Sequence, residues 1–438
     1  MNFFRANFSY GDNMTKLLYL LMILFLMVAL GGCDDSEDIS VPKHTPTYSV
    51  KMGGIFPFTG ALSEFGKPLH QSALLAVKHL NNADFSIGWA VVDSKSNPDA
   101  GVEAAHELIG KGQVQVIIGA AASSTTIAVA EQVSIPNQML QIAYPSTSPE
   151  ITTLLTDDGQ DFLFRTVPSD ALQGVVLANF AYDEGYRNLS VLYIDNAYGK
   201  GLKNVFKKHF SVLGGTVVAE IPHAETKGND IKVKEIYLTK LQEAKIGETE
   251  ALVAMSYSEQ SNVYIQQAIQ DDFFNKFLFV DGSKSEDIIE TVGADKLEGM
   301  CGTAPSFEQT ESLDHFNDGY EAEYGRVPSL PFMPNTYDAV VVAGLAAYAA
   351  RAIGESINPI TIRNYLRRVN DPDGENVIAG SEGLKRAMKM LDSGLTINYE
   401  GASGNVDFDE NGDVITPIEI WCFEGGKIVH KENVQPDV

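Results

Sequence analysis

Four hydroxyl side chains in a row, Ser123, Ser124, Thr125 and Thr126, follow the β-branched run Val116-Ile117-Ile118 and the small residues Gly119-Ala120-Ala121-Ala122. A strand that ends in glycine and small residues, followed by hydroxyls and an alanine-rich helix body, can build an anion pocket. The strand delivers the chain to the carboxyl edge of a sheet, and the first N–H groups of the next helix point at whatever binds there. The hydroxyls can donate to that ligand or cap the helix. On its own the run reads first as a plain N-cap, so the other segments must decide.

Other chemistries lack their residues. Asp407-Phe408-Asp409-Glu410-Asn411-Gly412-Asp413 imitates the start of an EF-hand loop, but the twelfth position is Ile418 where a bidentate glutamate belongs. An Asp/Asn/Gly hairpin turn between two strands is the expected reading. There is no dinucleotide fingerprint after Gly53-Gly54, no P-loop lysine motif, no G-x-S-x-G and no H-E-x-x-H. His70, His79, His106, His209, His223, His315 and His430 are scattered. No metal site, no cofactor and no nucleophile–base pair is expected, so the chain does not read as an enzyme.

The chain has 438 residues, too many for one ordinary core, so two domains are expected. Thirty-two basic against 58 acidic residues give a formal charge of -26, which argues against nucleic acid and against a basic membrane-binding face. Lys16 precedes an apolar run over 17–30, long enough for a signal h-region and short for a stable span. Leu30-Gly31-Gly32-Cys33 resembles the lipobox of bacterial lipoproteins. Residues 1–32 are thus expected to be a signal peptide, with Met1 or Met14 as the start, Cys33 the lipidated residue and 33–47 a polar tether. That leaves Cys301 and Cys422, which in an exported protein can pair as a disulfide or remain free.

The periodicities predict which elements position the hydroxyl run. Strands are expected at 48–57, 90–93, 114–119 and 140–143, with helices at 67–81, 98–110 and from the hydroxyls to residue 133. The pattern restarts near residue 167, with helices at 170–183, 199–213, 231–244 and 258–269 and strands at 189–194, 216–221, 251–256 and 277–280. The segment Gly299-Met300-Cys301-Gly302-Thr303 is expected to have no helix before it. Helices at 312–324, 337–353 and 360–369 follow, then strands at 404–408 and 418–423. Alternation at this spacing means parallel sheets covered on both faces. The late helices fit the first sheet, so the chain should cross between lobes more than once, as in proteins that clamp a ligand in a cleft.

At this point the sequence resembles the type I periplasmic binding proteins, in particular the Leu/Ile/Val-binding family of ABC importers. The segments that carry the resemblance are Gly53-Gly54-Ile55-Phe56-Pro57-Phe58-Thr59-Gly60, Ile118-Gly119-Ala120-Ala121-Ala122-Ser123-Ser124, Tyr144-Pro145-Ser146-Thr147-Ser148-Pro149, Phe164-Arg165-Thr166, Asp195-Asn196-Ala197-Tyr198-Gly199, Gly299-Met300 and Asn335-Thr336-Tyr337-Asp338-Ala339. The fold it implies is two Rossmann-like α/β lobes joined by a multi-crossing hinge, with lobe 1 over 48–165 plus 304–404 and lobe 2 over 166–303 plus 405–438.

The resemblance also implies a site. The family holds a ligand carboxylate with a first-lobe serine and threonine, which match Ser123 and Thr147. A carbonyl near Pro145 and a second-lobe acid, matching Asp281, receive the ammonium, and an aromatic matching Tyr257 packs on the ligand. Phe65 and Tyr198, expected in loops facing the cleft, are candidates for the side-chain wall. An α-amino acid needs donors, a countercharge and an apolar wall, and these residue types supply all three. The expected protein is monomeric and lipid-anchored outside the cytoplasm, on the periplasmic side of the inner membrane or on the cell surface. It would pass a free amino acid, aliphatic or branched-chain, to an ABC permease. A sensing receptor of the same fold, or a binder of an amide, urea or aromatic acid, are the alternatives. The cysteine pair that some relatives carry in lobe 1 is absent, and a bond between Cys301 and Cys422 is expected to fasten part of the hinge.

Overall fold

A computed structural model describes residues 49–225, 231–327 and 330–435. The expected signal peptide over 1–32, Cys33 and the expected tether over 33–47 lie outside the described residues.

The first lobe is built on a five-stranded parallel sheet in the order β2-β1-β3-β4-β5: β1 Val50–Phe56, β2 Ile87–Asp93, β3 Val116–Ile118, β4 Leu140–Ala143 and β5 Leu163–Arg165. The β3, β4 and β5 side chains are buried throughout, as continuous apolar runs covered on both faces must be. Helices α1 Ser63–Asn82, α2 Pro98–Glu107 and α3 Ser123–Val129 join these strands. The last two are shorter than their periodicity predicts, because each passes into a π-helical turn, at Leu108–Gly112 and Ala130–Ser134.

The second lobe carries a seven-stranded sheet in the order β15-β14-β10-β9-β8-β6-β7. A four-residue helix, α4 Pro149–Thr152, precedes the crossing into it. Then come α5 Asp170–Asp183, β6 Asn188–Ile194, α6 Ala197–Leu213, β7 Thr216–His223, α7 Ile231–Ala244, β8 Ala251–Met255, α8 Ser258–Gln270 and β9 Phe277–Phe279. Local chemistry fixes the helix starts. Ser169 Oγ accepts the Ala171 N–H at 3.2 Å to cap α5, and Asn196 Oδ1 accepts the Gly199 N–H at 3.0 Å to cap α6. Gly214, at φ 98°, ends α6 in the left-handed conformation. Two short helices, α9 Asp287–Val292 and α10 Ala294–Leu297, stand before β10 Cys301–Pro305, where no helix was expected. They span six and four residues, fewer than two turns each, too little for a period to register.

From β10 the chain returns to the first lobe as α11 Glu311–Tyr324, α12 Met333–Ala352 and α13 Pro359–Val369. Helix α12 is apolar nearly all round and buried from Met333 to Ala350, so it is the central packing element of that lobe. A small sheet, β11 Glu375–Ile378, β12 Ile397–Gly401 and β13 Gly404–Asn405, encloses α14 Ser381–Asp392 in sequence. The α12 residue Asp338 ties it down by accepting from the Tyr399 hydroxyl, the Ala402 and Ser403 amides and the Ser403 hydroxyl at 2.6–2.9 Å.

The final crossing differs from expectation. Only Gly404–Asn405 of the 404–408 stretch is strand, and it pairs in the small sheet, whereas β14 Ile418–Glu424 and β15 Lys427–Val434 belong to the second lobe. The EF-hand-like run is therefore a connection between sheets instead of a hairpin turn. Asp409 Oδ1 accepts the Asn411 and Asp413 amides, while Asp413 is drawn inward to Arg165.

Cys301 and Cys422 are directly opposed on β10 and β14 and form a disulfide, with sulfurs 2.07 Å apart. Both strands lie in the second sheet, and the chain leaves β10 only after Pro305, so the bond staples two neighbouring strands and does not fasten the hinge. It closes a 121-residue separation. Its removal in a C301S/C422S variant is expected to cost about 2–4 kcal/mol, read as a lower denaturation midpoint, with ligand affinity unchanged. A changed affinity at unchanged stability would contradict the placement.

Candidate functional site

Three loops converge at the carboxyl edge of the first sheet. After β3 the chain turns at Gly119, whose φ of 150° and 2.9 Å approach of a built Cβ to the Ile55 Cβ exclude any larger residue. The Gly119–Ala120 peptide is cis. Side chains hold the loop that follows. Thr126 Oγ1 accepts the Ala120 N–H at 3.0 Å and lies 2.7 Å from Ser146 Oγ, and Ser146 Oγ donates to the Ala120 and Ala121 carbonyls. Gln141 Nε2 donates to the Gly119 carbonyl at 3.0 Å. Of the four hydroxyls in the opening run, Thr126 is thus a brace and Ser123 faces the cleft. Ser123 Oγ accepts the Ser148 N–H at 3.2 Å, which leaves its own proton free to be given to a ligand.

The second lobe contributes a turn of 3₁₀ helix, Asp281–Ser283, just after β9. Ser283 Oγ accepts the Val280 N–H and donates back to the Val280 carbonyl, which closes the turn. Asp281 Oδ1 accepts from the Tyr198 hydroxyl at 2.7 Å and from Gln173 Nε2 at 2.9 Å. The Tyr198 oxygen also accepts the Gly282 N–H, and a Cβ at Gly282 would fall 2.9 Å from that oxygen and from the Ser256 carbonyl. Only glycine permits this approach. Tyr198 stacks on Tyr257 with centroids 5.5 Å apart and planes 11° from parallel. The Tyr257 hydroxyl accepts from Asn196 Nδ2, so the α6 cap also orients the aromatic pair.

A second carboxylate stands behind Asp281. Asp170, the first residue of α5, is fully buried; its Oδ2 accepts from the Thr147 hydroxyl at 2.9 Å, and its buried Oδ1 has no hydrogen-bond partner among the described residues. Burial raises the pKa of both acids, and at Asp170 the charge of Asp281 adds to the rise while Arg165 opposes it. Two buried acids that repel each other form a site of strong negative potential, one that a cation or a proton relieves.

These elements line a pocket between the lobes, whose roughly 370 Å³ of atom-free space is partly open to solvent. Ser123, Pro145, Phe65, Tyr198, Tyr257 and Asp281 all line it, together with Leu62, Leu69, Ala121, Gly282 and Phe332. Thr147 does not line it and acts on Asp170 instead. Phe65 and Tyr198 sit in the first turns of α1 and α6, where loops were expected. Sequence reasoning missed Leu62, Leu69, Phe332 and Asp170. Phe332 adopts φ 73°, unusual for an aromatic residue, immediately before α12. Its position beside the Asn335-Thr336-Tyr337-Asp338 segment was the one available signal.

Two α/β lobes, crossed several times by the chain and enclosing a cavity of mixed polarity, define a ligand-binding protein of the type I periplasmic binding-protein fold. The family described as the receptor family ligand binding region matches residues 69–426, and the chain belongs to it. The chemotactic signal transduction system substrate-binding protein BasB of Halobacterium salinarum is 27% identical over 387 residues, covering 82% of this chain and 83% of that one. The leucine-, isoleucine-, valine-, threonine-, and alanine-binding protein of Pseudomonas aeruginosa is 25% identical over 89% of this chain and 92% of its own. Among solved structures, the leucine binding protein LivK of Thermotoga maritima superposes with a TM-score of 0.71 at 23% identity, over 89% of this chain and 99% of its own. A solute binding protein of an ABC transporter from R. palustris in complex with benzoate gives 0.67 at 17% identity, over 89% and 97%.

Proposed function

We propose that this protein is the extracytoplasmic solute-binding component of an ABC importer and that it carries an aliphatic or branched-chain amino acid. The observation that carries the reading is one cavity with a free hydroxyl donor from the first lobe, Ser123, and a buried carboxylate from the second, Asp281. Leu62, Phe65, Leu69 and Phe332 supply the apolar wall. A zwitterion satisfies both ends, its carboxylate on Ser123 and the start of α3, its ammonium on Asp281 with the Asp170 charge behind. Because the two ends belong to different lobes, the ligand itself completes closure. The amino-acid names borne by relatives favour this class of ligand. An aromatic acid of the benzoate kind would bring an anion with no countercharge to the two acids, which disfavours it here.

In this reading Cys33 is lipidated and tethers a monomeric binding unit by residues 33–47, lobe 1 comprises 48–165 plus 304–404, and lobe 2 comprises 166–303 plus 405–438. The closed form is offered to a permease, and no bond is made or broken. The chemotactic relative favours one second reading, a sensor whose closed form is offered to a signalling partner. Adjacent permease and ATPase genes favour import, and adjacent receptor genes favour sensing. The chemical test is a thermal-shift screen of the purified protein against the amino acids. Leucine, isoleucine or valine at 100 times Kd is expected to stabilise by about 2.7 kcal/mol. Stabilisation by benzoate and by no amino acid would overturn the assignment.

A further inference from the structure

A contact between the lobes outside the ligand cavity has the makings of a closure device. Glu64 lies in the first turn of α1, on the first lobe, and reaches across the cleft. The Ser258 hydroxyl donates to its Oε2 at 2.5 Å and the Ser285 hydroxyl donates to its Oε1. Both serines belong to the second lobe and are buried, Ser258 at the start of α8 and Ser285 just before α9. The Ser285 oxygen in turn accepts the Asp287 N–H at 3.1 Å, which aims its proton at Glu64. One residue on, Glu286 accepts both arms of the first lobe's Arg326 at 3.0 and 3.2 Å. The segment that receives these two contacts continues directly from the Asp281–Ser283 turn of the cavity.

The contact favours the closed state only as far as its hydrogen bonds outweigh the burial of the carboxylate. Among the described residues the partners of the Glu64 carboxylate are two neutral hydroxyls and no cation, and the acids Asp287 and Glu259 face it and oppose its charge. Desolvating a carboxylate there is offset only by the two charge-assisted bonds, and both of these exist only when the lobes meet. We propose that Glu64, Ser258 and Ser285 form a latch that sets the equilibrium between open and closed lobes independently of ligand identity. A ligand then binds a protein in which part of the closing free energy comes from the latch, and affinity for any cavity ligand scales with the closed fraction.

The test combines scattering and binding. Small-angle X-ray scattering of the ligand-free protein is expected to show a larger radius of gyration for Glu64→Ala than for the wild type. The Ser258→Ala/Ser285→Ala variant should show the same increase. The triple variant should be no more open than Glu64→Ala alone, since all three changes break one device. With L-leucine as probe, Glu64→Ala is expected to weaken binding about tenfold or more, mainly through faster dissociation. The scattering arm holds whether or not L-leucine is the ligand, so its failure is separable from failure of the amino-acid reading. An unchanged radius in Glu64→Ala, or effects of the glutamate and the serines that simply add, would overturn the latch. A role confined to the first lobe would lower its melting temperature without any dependence on the two serines, and that result would overturn it too.

Discussion

Asp281→Asn is expected to weaken amino-acid binding by about 2–5 kcal/mol, roughly 30-fold to several thousand-fold, while leaving the fold in place. Asparagine keeps the volume, and its oxygen can still accept from Tyr198 and Gln173, so the turn should survive. What is lost is the charge. The ammonium of the ligand would then be desolvated against a neutral amide, with the Asp170 charge as the remaining countercharge. Calorimetric titration of the variant measures the loss, and an unchanged Kd would remove Asp281 from the site. The same acids predict a pH dependence. In the ligand-free protein burial raises both carboxyls, so acid conditions leave protons on them. A bound ammonium favours the ionised forms, so binding releases protons. Affinity therefore rises as pH increases through the raised range and levels off above it. In Asp281→Asn the rise should flatten, leaving only the contribution of Asp170.

The largest effect on stability is expected at Asp413. Arg165 is 0% exposed and its guanidinium is fully committed: Nε and Nη2 donate to the two Asp413 oxygens at 2.6 Å, Nη1 donates to the Ser146 and Ser148 carbonyls, and Nη2 also donates to Thr152. The Arg165 amide, in addition, donates to the Gly412 carbonyl at 2.9 Å. Asp413→Ala leaves a buried charge without its counterion, which costs about 3–5 kcal/mol. That is a large share of the roughly 5–15 kcal/mol by which a domain is stable. Because Nη1 also holds the loop that carries Pro145 and Ser148, binding should weaken with stability. The denaturant midpoint measures the first effect and calorimetry the second. A midpoint equal to that of the wild type would show that the pair contributes nothing.

Asp413 also shows where sequence reading stops. The run from Asp407 to Asp413 carries the spacing of a metal loop, and its flanks suggest a hairpin. The partner that decides its role, Arg165, lies 248 positions away and joins it only through the crossing between lobes. Much of the fold was legible because parallel strands and their covering helices have strong, repeated periods, and helix 170–183 matches its expected bounds. Helix α14 was missed although Leu384, Ala387, Met388 and Leu391 keep helical spacing on its buried face, and α9 and α10 were missed because they are too short to show a period.

For the site, residues at the carboxyl ends of strands were readable in kind, since a turn after a strand places its polar side chains at the sheet edge. Ser123, Pro145 and Asp281 lie at such turns. The apolar wall was not readable. Leu69 looks like any core leucine in an amphipathic helix and Leu62 like a loop residue before it, and only the placement of α1 turns them toward the cavity. Phe332 depends on a left-handed backbone conformation that sequence does not announce. Asp170 reads as an ordinary acid in the first turn of a helix, stabilised by the helix dipole. Its significance comes from an Oδ1 that has no hydrogen-bond partner among the described residues and from the neighbouring charge of Asp281. Glu64 hides the same way, as an acidic first-turn residue of α1.

The central claim is that one cavity reads both ends of an amino acid, its anionic end from the first lobe and its cationic end from the second. Calorimetric titration with L-leucine, 4-methylpentanoate and 3-methylbutylamine tests it directly, since the last two lack the ammonium and the carboxylate respectively. Binding of L-leucine, with the two truncated molecules weaker by about 2 kcal/mol or more each, is the predicted result. Binding of 4-methylpentanoate as tightly as L-leucine would contradict it, because the buried acids would then have no cation to receive.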